Sequence, residues 1–368
     1  MLRFIFRNDI KGEKMTHEDI FVEDMNRILA SCDDALHTLM GKSVLVTGAT
    51  GLIGSTLVNA LCAFAWACTA NEAEPPHVYA LVRNEAKAEA MFAGIPEEIL
   101  TIVVSDISDT DIADKFADLD VNYIVHAASM TSSRDFVSRP VDVINTAISG
   151  TLNMLELARN KKCEGFIYTS TMEVYGAPET DEKIFESSAT NLDTMSVRSS
   201  YPESKRVCES LCASYASQYG VPAKVLRLTQ TFGPGVRYDD GRVFAEFARC
   251  AIEKRDIVLH TKGETCRSYL YTADAAAAIL TVLAFGEVGE AYNAANEETY
   301  CSIYEMAQMV ANECAAGDIT VRIEAEDASK FGYAPVLHMN LDTFKLRSLG
   351  WEAAVGLKDQ FDRMICCM

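Results

Sequence analysis

The chain has 368 residues, 49% of them hydrophobic and 23% charged, with a formal net charge of −20. That length holds one large α/β domain plus a smaller lobe, with ample apolar material for a core. So acidic a surface repels polyanions, which excludes nucleic acid and anionic membrane as partners and leaves small anionic ligands held by local arginines.

In chain order, residues 1–40 read as a polar leader with a helical apolar pattern (Ile20, Phe21, Met25, Ile28, Leu29) that is expected to pack on the main body. Strands are then predicted near Ser43–Thr47, Val78–Val82, Thr101–Val104, Tyr123–His126, Gly165–Tyr168 and Ala223–Leu228, with helical stretches between them. This alternation predicts an α/β fold built on a doubly wound parallel Rossmann sheet. Beyond Phe232-Gly233-Pro234-Gly235 the rhythm breaks. The longest apolar stretch, Leu57–Ala70, reads as too short to span a bilayer, and charges fall inside any would-be signal core at the start, so a cytoplasmic location is expected. Twelve cysteines occur with no CxxC pair and irregular spacing, so neither a metal cluster nor a disulfide framework is expected. Cys208 and Cys212, four apart on one helix, read as core thiols.

Three motifs carry chemistry. Thr47-Gly48-Ala49-Thr50-Gly51-Leu52-Ile53-Gly54 follows the apolar run Val44-Leu45-Val46 and precedes a helical stretch. Gly48 permits a tight turn, Gly51 lets backbone amides approach a phosphate, and Gly54 lets the helix lie close to the strand, with the helix N-terminus adding partial positive charge. Tyr201-Pro202-Glu203-Ser204-Lys205 puts a phenol and an ammonium on one helix face. An ammonium beside a phenol favours the phenolate, which a Tyr with an ordinary pKa of about 10 needs to act as a base. Ser170-Thr171-Met172-Glu173-Val174-Tyr175-Gly176 follows the run Phe166-Ile167-Tyr168, at the carboxyl end of a strand where active sites of open α/β sheets lie.

With these motifs in order, the chain resembles the extended short-chain dehydrogenase/reductase family, specifically its nucleotide-sugar epimerases, dehydratases and decarboxylases, from about Gly41 to Ala295 and more weakly beyond. Asp106-Ile107, His126-Ala127-Ala128-Ser129, Asn145 with Gly150-Thr151, Arg267-Ser268-Tyr269 and Asp274 belong to the same resemblance. It implies a Rossmann domain over 41–235 to which 268–296 returns, a substrate-binding lobe made of 236–267 and 297–368, and a homodimer. It also implies that Thr47, Gly48, Thr50, Gly51, Leu52, Ile53, Gly54, Arg83, Asp106, Ile107, His126, Ala127, Ala128, Ser129 and Asn145, together with Tyr201 and Lys205, hold the dinucleotide. The substrate would meet Thr131, Gln230, Arg242 and Arg267, the two arginines on its diphosphate.

The second strand ends in Ala80-Leu81-Val82-Arg83-Asn84, without the acid that usually bonds the ribose of NAD. Arg83 therefore brings in NADP as an alternative, or stacks on adenine, or is simply solvated. Because the enzymes resembled hold NAD and regenerate it, NAD is the expected cofactor. The resemblance implies that Tyr201 takes a proton from a sugar hydroxyl, Thr171 bonds the same oxygen, and Lys205 binds the nicotinamide ribose while a C4 ketone forms. In the 4,6-dehydratases the residue after the catalytic Thr is an acid and the next is a Glu; here Met172 replaces the acid and Glu173 is kept. A substrate carrying a C6 carboxylate needs no such donor. The order ending at Pro178 and the segments around Phe232, Arg242 and Arg267 resemble UDP-glucuronate decarboxylases. Gln230 and Gly235 depart from that pattern, which has Asn and Arg at these places. A 4-epimerase, a 4,6-dehydratase, an NADPH-dependent reductase and a dinucleotide-binding protein without turnover remain the alternatives.

Overall fold

The computed structural model describes residues 15–324 and 336–368. In chain order the elements are α1 (His17–Ser31), α2 (Asp33–His37), β1 (Ser43–Thr47), α3 (Leu52–Ala70), β2 (His77–Val82), α4 (Glu85–Met91), β3 (Leu100–Val104), β4 (Tyr123–His126), α5 (Ser133–Ser138), α6 (Pro140–Lys161) and β5 (Gly165–Thr171). They continue with α7 (Ser200–Tyr219), β6 (Ala223–Leu228), β7 (Gln230–Phe232), α8 (Val243–Glu253), β8 (Ile257–Leu259), β9 (Cys266–Tyr271), α9 (Thr272–Phe285), β10 (Ala291–Ala294) and β11 (Asn296–Ser302). The last are α10 (Ile303–Met309), β12 (Val321–Ile323), β13 (His338–Met339), α11 (Phe344–Arg347) and α12 (Leu357–Cys367).

Seven strands form one sheet in the order β10-β6-β5-β4-β1-β2-β3, every neighbouring pair parallel. Chain order reverses between β1 and β4, so the carboxyl ends of those strands open the crevice in which a doubly wound sheet binds ligands. β1 is buried along its whole length, as a strand covered by helices on both faces must be. All six strands expected from the sequence are present. β5 runs three residues beyond the expected Tyr168, to Thr171, and β10 supplies a seventh strand that the apolar pattern did not reveal.

The segment 268–296 rejoins the main sheet only in part. α9 packs on it and β10 adds an edge, but β9 lies in a second sheet in the order β11-β9-β13, with β7 also paired to β9. The smaller lobe has its own core, in which Phe232 stacks on Phe244 and meets Phe361 edge-on, with Phe247, Met306 and Val310 around them. Not all of 297–368 stays in that lobe: Leu346, Trp351 and Val355 are buried in the main core against α9. Asp274 anchors this return by accepting the amides of Ala354 and Val355, while the Trp351 indole donates to the Asp274 carbonyl.

The apolar stretch Leu57–Ala70 is part of a helix that begins at Leu52, and the 19 residues of that helix are long and apolar enough to cross a membrane by length and composition alone. It does something else here. Leu57, Val58, Ala60, Leu61, Cys62 and Ala65 are buried in the main core, where α3 packs on α9 and α1. An apolar helix covered on several sides is a core helix.

α1 starts on a capping box between Thr16 and Asp19 and buries Ile20, Met25 and Ile28; residues 1–14 of the expected leader lie outside the described residues. Its inner face carries Asp24, which accepts the Tyr271 hydroxyl at 2.6 Å and pairs with Arg363 at 3.2 Å. Arg363 also meets Glu23, so the two ends of the described chain are joined over the first turn of α9. Burial raises the Asp24 carboxyl to about 6, although Tyr271, Arg363 and Arg27 pull it down.

A raised carboxyl pKa favours folding in the protonated form: the gain is complete below the ordinary carboxylate range and is lost as pH rises through about 6. Asp24→Asn cannot titrate. The Tm of Asp24→Asn minus that of the natural chain should therefore climb between pH 4 and 6.5 and level off above pH 7, by an amount on the order of 2 kcal/mol in stability. Thermal melts of both proteins across that range decide it, and a difference that falls with pH contradicts the burial argument.

Candidate active site

The turn between β1 and α3 is built by close backbone approach. Gly48 has φ +66°, and a Cβ there would lie 2.9 Å from the Ala128 backbone after β4. At Gly54 a Cβ would fall 2.2 Å from the Gly48 carbonyl, and at Gly51 it would be 3.1 Å from the same oxygen. α3 starts with Gly51 as its cap and no side-chain cap bond, which leaves the first-turn amides to a ligand anion. Leu52 and Ile53 open the helix half-buried, and the Thr50 carbonyl accepts the Lys87 ammonium at 2.7 Å. This cradle suits a dinucleotide diphosphate.

The polar groups under the turn hold the protein together and do not face the cleft. The Thr47 hydroxyl accepts the amides of Ala127 and Ala128 and shares a hydrogen bond with His126 Nδ1 at 2.8 Å; the other ring nitrogen of His126 meets Thr151. Burial, with Lys205 nearby, pushes the His126 pKa down to about 3, so the ring is neutral. The side-chain polar atoms of Thr47 and His126 are thus spent on the β1–β4 junction, which leaves their backbone groups as what either residue has to offer a cofactor. Asn145 is exposed on α6, whereas Ala147, Gly150 and Thr151 pack inward.

Arg83 is largely exposed and stands 3.7 Å from Asp106. Asp106 closes a turn by accepting the Ser108 amide, and Ile107 is buried against Gly150, where a Cβ would lie 2.5 Å from Ile107 Cδ1. Ser129 is half-buried and Thr131 exposed on the loop after β4.

β5 delivers Thr171 to the crevice, where a short 3-10 turn over Met172–Tyr175 starts with the Glu173 amide donating to the Thr171 hydroxyl at 3.3 Å. α7 brings Tyr201 to the same place, with Thr171 among the groups that pull its phenol down. One turn on, the Lys205 ammonium donates to the Thr169 carbonyl at 2.8 Å and lies 4.6 Å over the Tyr168 ring and 5.7 Å from the Tyr201 ring. Thr171, Tyr201 and Lys205 thus share one buried floor. Burial first, then Glu173, hold the Tyr201 phenol well above its ordinary range, while Thr171, Arg198 and Arg242 pull it down. Burial also lowers Lys205 to about 8.

The structure adds Arg198, which the sequence reading passed over. Its guanidinium pairs with Glu173 at 3.0 Å and sits 4.8 Å over the Phe136 ring, which stacks on Tyr201 at 4.2 Å. Its position three residues before Tyr201, at the entry to the same helix, was the available signal. Glu173 therefore faces a cation. Met172 is buried and accepts the Thr229 hydroxyl on sulfur at 3.2 Å. Arg242 is clamped by Asp240 through two bonds of 3.0 and 2.7 Å and lies over Phe244 at 4.7 Å. Arg267 is half-buried, weakly bonded to Gln230 at 3.4 Å, and its buried Nε has no hydrogen-bond partner.

Residues 44–295 match the family described as NAD dependent epimerase/dehydratase. The chain belongs to that family. Among curated relatives, UDP-glucuronic acid decarboxylase 1 of Xenopus tropicalis is 27% identical over 327 residues, covering 88% of this chain and 71% of that protein. Among solved structures, the UDP-glucose 4-epimerase of Thermotoga maritima with UDP-glucose superposes with a TM-score of 0.74 at 22% identity, covering 88% of this chain and 98% of the other. The UDP-glucose 4-epimerase of Thermus thermophilus in complex with NAD gives 0.71 at 23% identity, covering 88% and 98%. These two likenesses describe the fold.

Because Gly54 meets backbone and not a flexible side chain, Gly54→Ala should displace the first turn of α3. The expected result is a lower Tm and loss of NAD binding by at least ~10-fold, measured by fluorescence titration; unchanged binding would show that the turn has slack.

Proposed function

We propose that the protein is an NAD-dependent decarboxylase of a nucleotide-linked uronic acid, with UDP-glucuronate as substrate. The observation that carries this reading is the set of groups next to Thr171: a thioether at Met172, and Glu173 paired with Arg198 beside Tyr201. NAD, when bound, supplies a hydride acceptor and a positively charged ring. The Asp106 carboxylate near Arg83 offsets a cation that would favour a 2′-phosphate, which supports NAD over NADP.

In this reading Tyr201 takes the proton of the C4 hydroxyl and Thr171 holds the same oxygen. Lys205 is fixed by Thr169, and the cations at Arg198 and Arg242 lower a phenol that burial otherwise keeps protonated. The resulting ketone is β to the C6 carboxylate, so the C5–C6 bond breaks with release of carbon dioxide, leaving its electron pair at C5 for a returning proton. No proton donor at C6 is needed. Loss of water from C6 would need one, and the sulfur of Met172 cannot give it. Arg198 can hold the C6 carboxylate, releasing Glu173 to face C5. Arg267, with an unpartnered Nε, suits the diphosphate, and Arg242 reaches it once Asp240 lets go.

Tyr201→Phe should leave fold and NAD binding intact and cut turnover by ~10²–10⁴-fold, as general acid–base groups typically do. Product mass from the natural enzyme with UDP-glucuronate, UDP-glucose and dTDP-glucose separates loss of carbon dioxide from loss of water and from no change. Rapid UDP-glucose to UDP-galactose conversion with UDP-glucuronate untouched refutes decarboxylation.

Arg198→Gln should weaken binding of UDP-glucuronate by ~10–100-fold, the value of a charge-assisted contact, and leave binding of the decarboxylated UDP-pentose unchanged. Equal weakening of both in calorimetry would assign Arg198 to the pocket's shape and not to the carboxylate.

A further inference from the structure

A side-chain cluster lies outside the catalytic floor. Asp181, from the stretch between the short turn after β5 and α7, meets Cys266 at the start of β9 and His338 in β13, with one potential ligand atom from each within 4.8 Å of the others. We propose that these three residues form a binding site for a borderline-soft divalent cation of the zinc class, with the fourth position open to water or to the Tyr300 phenol.

The backbone brings the three donors together before any ion is considered. β13 pairs with β9 in parallel register so that His338 stands opposite Cys266. The Cys266 amide donates to the Leu337 carbonyl at 2.9 Å and the His338 amide to the Pro178 carbonyl at 2.8 Å. The Asn340 side-chain amide donates to the Asp181 carbonyl at 2.8 Å, which ties the third segment to the strand bearing His338. His338 Nδ1 and the Tyr300 hydroxyl both converge on Asp181 Oδ1, at 2.8 and 2.5 Å.

The donor set decides the class of ion. Calcium and magnesium take oxygen almost exclusively, whereas one thiolate sulfur, one imidazole nitrogen and one carboxylate oxygen suit Zn²⁺ and its spectroscopic substitute Co²⁺. Tetrahedral coordination at ordinary zinc bond lengths puts donors roughly 3.3–3.8 Å apart. The present spread, within 4.8 Å, is what a bound ion would have to draw in. All three are at least partly open to solvent, so an ion has an entry path. Arg267 follows Cys266 and Met339 follows His338, so a bound ion would cross-link the strands under one wall of the proposed substrate site.

The test uses the full chain freed of metal with a chelator and titrated with CoCl₂, then with ZnCl₂ in competition. The expected result is one tight equivalent of cobalt with a thiolate-to-cobalt charge-transfer band, displaced by zinc, and a zinc-dependent rise in Tm. Cys266→Ser should abolish the band. His338→Gln and Asp181→Asn should each weaken binding at least as much as the ~10–100-fold cost of losing an outer-shell partner. The double variant Cys366→Ser with Cys367→Ser should keep the site. Circular dichroism establishes that each variant is folded, and the conservative His338→Gln serves if Cys266→Ser is not. No stoichiometric binding, binding undiminished in Cys266→Ser or His338→Gln, or binding lost with Cys366 and Cys367 would each overturn the proposal.

Discussion

The site rests on one close approach: the turn after β1 lies against the loop after β4 with no room for a side chain between them. Gly48 makes that contact in a left-handed conformation, and the Thr47 hydroxyl locks it by taking two amides of the opposing loop and a ring nitrogen of the neutral His126. The same contact directs the first turn of α3, through Gly54, into the crevice. A side chain at either glycine would push the helix off the sheet and move its amides away from the phosphate they are placed to bind. Polar atoms beneath a binding cleft can thus be fully used in maintaining it, touching no ligand.

Electrostatics on the catalytic floor is a contest between burial and a ring of arginines. Desolvation alone opposes a phenolate at Tyr201, and Glu173 adds to that opposition; Arg198 and Arg242 work the other way. Each of these arginines is held by a carboxylate, Glu173 or Asp240, so an arriving anion competes for a guanidinium that is already engaged. Such an arrangement couples substrate binding to the charge felt by Tyr201. An acid group on the sugar that draws Arg198 away also frees Glu173, whereas a neutral sugar has no comparable means of breaking the pair.

The body and lobe are stitched by residues distant in sequence. Asp24, Tyr271 and Arg363 meet over the start of α9, and Asp274, in the first turn of the same helix, receives the return of the C-terminal segment. β9 is central to this organisation: it lies in the second sheet, pairs with three other strands there, and runs directly into the helix that covers the main core. A chain that crosses between the two units so often does not divide at single boundaries, which is why assigning whole segments to one lobe or the other misplaces β7, β9 and residues near Trp351.

By itself the sequence determined the parallel sheet, six of its strands, the glycine turn and the placing of Tyr201 and Lys205 on one helix face, because each is written in local periodicity or in spacing within a single element; Thr171, on another element, joined them only through the family resemblance. β10 was not legible, since Ala291–Ala294 is short and carries too little apolar signal to stand out. Only the tertiary structure decided how polar side chains are used. Thr47 and His126 turn inward because a neighbouring strand presents partners for them, Asn145 faces outward because Ala147, Gly150 and Thr151 take the packed face, and Arg198 enters the site because Glu173 waits on another element. Asp181, Cys266 and His338 belong to the same class: they are far apart in sequence, and only strand pairing makes them neighbours. Local pattern reports which face is apolar; which polar group meets which is settled by contacts between distant elements.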